Sequence, residues 1–293
     1  MNIIRFNPKI NDWERRTLIF NGDFIVYSRS PSLKNLAEHA NTLIHSVFGD
    51  QPEKAQSEMP VNEFVDLAGP LKTLFTNSNQ TKELIRQVLT EFGCEPEKTH
   101  FDVPRLRIVT SDNFLTSGVG YAYKAHRDTW YSSPEAQVNW WLPVYDLAPE
   151  NTMSVYPQYW TRKIKNSSRD FNYEEWCRTG RTMATSQTSS DTRKHPLPLE
   201  EINAVGETRY VLASGEVMLF SASQLHATAP NTSGKTRFSI DFRTVNLDDL
   251  KQGKGAKNID NEAKGTTLQD FIGMVNNAKI DQNLISDYLD KVN

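Results

Sequence analysis

The chain has 293 residues, enough for one large domain or two small ones. Its 33 Lys and Arg nearly balance 36 Asp and Glu, for a formal charge of -3, so no global field argues for a nucleic acid or an anionic membrane as partner. The two cysteines, Cys94 and Cys177, form no CxxC or CxxH pair, which excludes a disulfide framework and a thiolate metal site.

The amino terminus, MNIIRFNPKINDWERR, lacks the charged-then-apolar order of a secretory signal, and no apolar run reaches 18 residues. A cytoplasmic, membrane-free location is therefore expected, and the sequons at Asn79, Asn166 and Asn231 are read as chance matches. No internal repeat or low-complexity tract is present.

Over 31–48, Leu33, Leu36, Ala37, Ala40, Leu43, Ile44 and Val47 recur at three- and four-residue steps, which predicts an amphipathic helix with Ser30 or Ser32 as N-cap. A second helical pattern, Leu84, Ile85, Val88, Leu89 and Phe92, ends at Gly93, where a left-handed cap is expected. Residues 1–103 read as mostly helical.

After Pro104 the texture changes. RLRIVT, AQVNWWLPV (136–144), TRYVLA (208–213), GEVMLFSA (215–222) and TRFSIDFRTV (236–245) are rich in β-branched and aromatic residues and predict strands. In the last, Arg237, Ser239, Asp241 and Arg243 share one face while Phe238, Ile240 and Phe242 share the other, as expected for a barrel with a polar interior. Residues 161–207 lack alternation and read as a long, lid-like insertion. Within 161–195, eight Lys or Arg (162, 163, 165, 169, 178, 181, 193, 194) face four acids (170, 174, 175, 191), a local excess suited to an anionic small molecule. From 246 onward a Lys/Gly-rich stretch, KQGKGAK, and helical patterns near 267–276 and 282–291 predict a packed tail. The whole of 1–293 is read as a single domain.

His-x-Asp on extended backbone aims two ligands at one metal, because residues i and i+2 point the same way. Two such pairs occur, His100/Asp102 and His126/Asp128. The later pair is favoured: it precedes a strand with inward polar groups, whereas the earlier one lies between a helix and the first strand and runs straight into Val103 and Pro104. His226, just after GEVMLFSASQ, completes a two-histidine, one-carboxylate set that leaves open positions on an iron. Arg237 follows eleven residues later, beyond the turn Pro230–Gly234, where its guanidinium can pair bidentately with a carboxylate.

These residues resemble the Fe(II)/2-oxoglutarate-dependent dioxygenases, and more narrowly the phytanoyl-CoA dioxygenase-like branch, over about residues 104–245. PENTMSVYP (149–157) is similar to that family's Asn-containing turn, and GEVMLF to its strand before the distal histidine. The resemblance implies a double-stranded β-helix, a jelly-roll or cupin-like barrel with helices outside. It implies Fe(II) on His126, Asp128 and His226, 2-oxoglutarate with its far carboxylate on Arg237, and O2 as oxidant. Thr228 and Trp141 would touch the cosubstrate. Oxidative decarboxylation to succinate and CO2 would then drive attack on an unactivated C–H bond, giving hydroxylation, desaturation or ring closure in natural-product biosynthesis.

Asp128 stands where related halogenases carry a small residue, so halogenation is disfavoured. Pro157-Gln158-Tyr159-Trp160 replaces the usual Pro-Gly-Ser-His and implies a different substrate mouth. Gln137 and Asn139, which alternate with buried-type neighbours, and Arg243, on the polar face of the last strand, are candidate substrate contacts; Arg243 could equally pair with an acid near Asp241. Two rivals stay open at this point: a cupin-like metalloenzyme without 2-oxoglutarate, for which Arg237 has no use, and a non-catalytic jelly-roll binding protein.

Overall fold

A computed structural model describes residues 2–28, 30–180 and 183–292. In chain order the elements are β1 (Ile4–Phe6), α1 (Asp12–Phe20), β2 (Phe24–Tyr27), α2 (Pro31–Phe48), α3 (Val61–Asn77), α4 (Asn79–Glu91), β3 (Thr99–Phe101), β4 (Arg105–Val109), β5 (Val138–Pro143) and β6 (Met153–Val155). There follow a one-turn helix α5 (Tyr173–Glu175), β7 (Thr208–Arg209), β8 (Val217–Ser221), β9 (His226–Thr228), β10 (Arg237–Asn246), α6 (Leu247–Lys251), β11 (Ile272–Gly273) and α7 (Gln282–Val292).

The sheets form a jelly roll. The larger one runs β1-β2-β8-β5-β10-β3-β11, with β4 also on β10, and the smaller runs β7-β6-β9. A bridge between His126 and His226 adds the stretch before β5 to the smaller sheet as a fourth member. Chain order then alternates across the sandwich: β4 in one sheet, residue 126 in the other, β5 back in the first, β6 and β7 in the second, β8 in the first, β9 in the second and β10 in the first. β10 is the axle, pairing with β5 on one side and with β4 and then β3 on the other.

The alternation of β10 sorts the two layers beneath it. Phe238, Ile240 and Phe242 enter a core shared with Trp140, Leu142 and the apolar faces of α2, α3 and α4. Fully burying side chains of this size stabilises by roughly 1.5–3 kcal/mol each. Between the sheets, Phe24, Trp141, Met153, Tyr210, Met218 and Phe220 fill one end, and the polar face of β10 opens at the other.

Helix α2 begins and ends as its sequence predicts, capped by Ser30, whose Oγ accepts from Leu33 N at 3.2 Å. Helix α4 ends at Glu91 with Phe92 as its C-cap, followed by Gly93 at φ +67°. Two expectations need correction, and the mostly helical first part holds more than its patterns showed. TRYVLA is a strand only over Thr208–Arg209; Tyr210 and Leu212 instead plunge into the inter-sheet core. The helical pattern near 267–276 is a single 3-10 turn, Thr267–Asp270, followed by the edge strand β11, because Leu268 and Phe271 anchor to the tail core. The first hundred residues also hold β1 and β2, which extend the larger sheet, and α3, whose interior Pro70 masks its helical periodicity. Arg181 lies outside the described residues. No helix among the described residues is long and apolar enough to cross a membrane.

Candidate metal and cosubstrate site

His126 and His226 sit directly opposite each other across the bridge. His126 N donates to His226 O at 2.9 Å and His226 N to His126 O at 3.0 Å, so both side chains leave on the same face, with ring centroids 4.3 Å apart. Two residues on, Asp128 N donates to Ala222 O at 2.9 Å, which fixes the third side chain beside them. All three are buried, and one donor atom from each lies within 4.8 Å of the others.

Hydrogen bonds orient every member of this set. His126 Nδ1 faces Lys124 O at 2.7 Å and His226 Nδ1 faces Gln224 O at 3.0 Å. With Nδ1–H donating to a carbonyl, each Nε2 carries a lone pair, and both point at Asp128 Oδ1, 3.5 and 3.7 Å away. Burial pulls the His226 imidazole down to about 4, reinforced by His126, so it stays neutral at neutral pH. Burial opposes ionisation of Asp128, but the imidazoles of His126 and His226 beside it and the bond from Asn139 outweigh it and hold its carboxyl at about 2. Two neutral imidazole nitrogens and one carboxylate oxygen converging on a point are the donor set that Fe(II) takes with positions left open.

Gln137 and Asn139, expected at the substrate, line the cavity and also bond the Asp128 carboxylate. Asn139 Nδ2 donates to Asp128 Oδ2 at 2.7 Å, while Gln137 Nε2 reaches Asn139 Oδ1 at 2.8 Å and Asp128 Oδ2 at 3.4 Å. The other His-x-Asp pair gains no third ligand, since among the described residues only His126, Asp128 and His226 form such a group. His100 lies in β3 between β10 and β11, and Asp102 accepts from Arg105 and from both the backbone and side chain of Arg243. Arg243 also pairs with Asp241 at 3.0 Å, so its guanidinium is already matched by acids.

Arg237 opens β10 and is 6% exposed. Its Nη1 donates to Asn151 O at 3.2 Å and Thr152 O at 2.8 Å, the carbonyls of the PENT turn, and its guanidinium carbon lies 5.7 Å from the Trp141 ring centroid. Its Nε has no partner among the described residues. Burial, with Arg107 nearby, lowers it to about 10, against the pull of Asp241. A buried guanidinium with an unused N–H is costly until an acceptor arrives, which suits a carboxylate. Thr228 Oγ1 accepts from Tyr123 N at 3.2 Å and faces the same cavity, as does Trp141.

That cavity, of about 620 Å³, is bounded by the metal set, the polar face of β10, α3 and the 161–207 segment. The segment contributes Phe171, Trp176 and Arg193 to the wall. Above the histidines, Tyr123 and Tyr131 meet the His126 ring at centroid distances of 5.2 and 5.3 Å. His195 stacks on Tyr121 at 3.9 Å and 7°, with Nδ1 3.1 Å from Tyr131 Oη. Neither these aromatics nor Lys72, which enters from α3, stood out in the sequence, because each is isolated there from the strands that carry the metal set.

Residues 45–239 match the family described as phytanoyl-CoA dioxygenase (PhyH). The chain belongs to this family. It is an Fe(II)/2-oxoglutarate-dependent oxygenase, with iron and 2-oxoglutarate as cofactor and cosubstrate and O2 as oxidant. The rival reading as a metalloenzyme without 2-oxoglutarate, or as a non-catalytic barrel, is thereby set aside. No curated protein matches the chain. Among solved structures, EvdO2 from Micromonospora carbonacea var. aurantiaca complexed with 2-oxoglutarate is 11% identical, with a TM-score of 0.47 over 82% of this chain and 92% of that one. The non-heme monooxygenase ThoJ is 11% identical, with a TM-score of 0.43 over 90% and 88%. The epimerase SnoN in complex with Fe3+, alpha ketoglutarate and nogalamycin RO is 11% identical, with a TM-score of 0.40 over 80% and 85%.

Proposed function

We propose that His126, Asp128 and His226 are the iron ligands, that Arg237 receives the far carboxylate of 2-oxoglutarate with Thr228 and Trp141 beside it, and that the enzyme oxidises an unactivated C–H bond of a small anionic molecule. The observation that carries this reading is the convergence of two histidine Nε2 atoms and Asp128 Oδ1 in one cavity with the unpartnered Nε of Arg237. Iron held by these ligands, with 2-oxoglutarate and O2, would supply the oxidising power, the cosubstrate leaving as succinate and CO2.

The chain's own residues do the rest. Asn139 and Gln137 hold the Asp128 carboxylate at a fixed angle, and Lys124 O and Gln224 O fix both histidine tautomers. Trp141 and the buried strands exclude water around Arg237, where a charge-assisted bond is strongest. The 161–207 segment acts as the lid, with Phe171, Trp176 and Arg193 closing over the chamber. We read 1–293 as one domain, acting in the cytoplasm on an intermediate of natural-product biosynthesis; the free thiols of Cys94 and Cys177 support a reducing compartment. Hydroxylation is the default outcome, while desaturation or ring closure requires only a different placement of the substrate carbon.

The test is 2-oxoglutarate turnover. Wild type supplied with Fe(II), O2 and a panel of carboxylated and phosphorylated small molecules should release succinate faster with at least one of them, and Asp128→Ala should release none. Succinate release that persists in Asp128→Ala would overturn the ligand assignment.

A further inference from the structure

We propose that the chamber holds an anion-binding subsite centred on Lys72 of α3, which receives a doubly charged group of the substrate, either one phosphoryl group or a pair of carboxylates. This deepens the function proposed above and rests on its placement of iron and cosubstrate.

The argument is one of charge. At the metal end, Fe(II), the Asp128 carboxylate, the 2-oxoglutarate dianion and Arg237 cancel, so that end needs no further counter-ion. The remainder of the cavity differs. Its other described cations are Lys72, Arg105, Arg107, Arg193 and Arg243, and the acids that meet them are Asp102, Asp241 and Asp191. Five cations thus face three carboxylates, and the shortage falls on one residue. Asp241 is shared by Arg107 and Arg243, Asp102 by Arg105 and Arg243, and Asp191 is taken by Arg193.

Lys72 is left with a backbone partner. Its Nζ donates to Val119 O, and among the described residues no carboxylate lies within ion-pair distance of it. An ammonium carries three N–H donors, so two stay available at the cavity wall. The charged groups that act on it most are mostly cationic: Arg107, Arg193 and Arg105 disfavour its charge and Asp241 favours it. Burial and these arginines bring it down to about 7. A half-buried cation among like charges is favoured by an anion at the cavity wall, and a dianion would offset the excess. The flanking faces of Tyr121 and Trp176, each 5.6 Å from the Arg193 guanidinium carbon, offer flat walls for the carbon skeleton that carries the group.

The same lysine could merely tie α3 to the Val119 loop, and the experiment separates the two roles. Zn(II) is used as a diamagnetic stand-in for iron, with saturating 2-oxoglutarate, and lysines are reductively methylated with carbon-13 for NMR. Wild type should show one lysine resonance titrating near neutral pH, absent from Lys72→Met. Methyl phosphate or glutarate should move its midpoint upward, and the more effective of the two identifies the group recognised. Lys72→Met should weaken that probe about tenfold or more, and Lys72→Arg should restore it. The fit of 2-oxoglutarate itself should be unchanged in both variants. The proposal is overturned if neither probe moves the resonance, or if both bind Lys72→Met as tightly as wild type. Loss of 2-oxoglutarate binding in wild type would instead count against the underlying metal and cosubstrate reading.

Discussion

Asn139 Nδ2 donates to Asp128 Oδ2 at 2.7 Å, which leaves Oδ1 as the carboxylate oxygen facing both histidine nitrogens. An amide that orients a metal ligand from behind contributes to metal affinity rather than to substrate recognition. Asn139→Leu, close in volume, should therefore weaken Fe(II) binding by about 10–100-fold in a chelator competition. A substrate KM that rises while iron affinity holds would return Asn139 to the substrate role its strand position first suggests.

Arg237 should act on the cosubstrate alone. Arg237→Ala removes a charge-assisted, bidentate-capable donor from a dry site, worth about 3 kcal/mol, or roughly 100-fold in 2-oxoglutarate affinity. Calorimetry on the Zn(II)-loaded protein should show that loss while metal affinity stays within a few fold. Arg237→Lys should recover only part of it, because an ammonium cannot present the guanidinium fork.

Gly118 fixes how the 161–207 segment meets the barrel. It sits at φ +56°, and a Cβ there would lie 2.3 Å from Ala184 O and 2.4 Å from Gln187 O, both backbone atoms. Gly118→Ala must displace the 184–187 turn. Faster amide exchange through 183–195 and a lower kcat/KM for the substrate are expected, with 2-oxoglutarate affinity unchanged. Unaltered exchange in that stretch would show that the contact does not close the chamber.

His195 should give the folded protein a pH signature. Burial, and then the nearby Arg193, hold its imidazole down to about 4, against about 6.5 in the unfolded chain. Between those values the unfolded state binds the extra proton, so stability rises with pH over that window and is fully present above about 6.5. The size is about 3 kcal/mol, and the side chain is only 3% exposed, so little is lost to screening. Denaturant titrations from about pH 4 to 7 should show a shallower slope for His195→Gln than for wild type. Parallel slopes would contradict it.

Much of the site was legible because strand alternation and i, i+2 geometry are local. The inward face of β10, the His126/Asp128 pair and the His226-to-Arg237 spacing each follow from a few adjacent residues. The preference for His126/Asp128 over His100/Asp102 rests in the sequence on flanking residues alone; in the sheet, His126 meets His226 across a bridge, whereas His100 faces Val245 and Gly273. The roles of Gln137 and Asn139 were not readable, since alternation gives the face of a side chain but not which neighbour it bonds. Lys72 was invisible for a related reason: its meaning depends on how Arg105, Arg107, Arg193 and Arg243 divide three carboxylates from distant parts of the chain. Helix α3 and the β1–β2 strands were missed because Pro70 breaks one pattern and the others are only three and four residues long.

The central claim is tested most directly by the visible absorption of the anaerobic protein with Fe(II) and 2-oxoglutarate. Wild type should develop the weak charge-transfer band of an iron-bound 2-oxo acid. His100→Ala should keep it and His226→Ala should lose it. A band that survives in His226→Ala, or disappears in a folded His100→Ala, would contradict the assignment of iron to His126, Asp128 and His226.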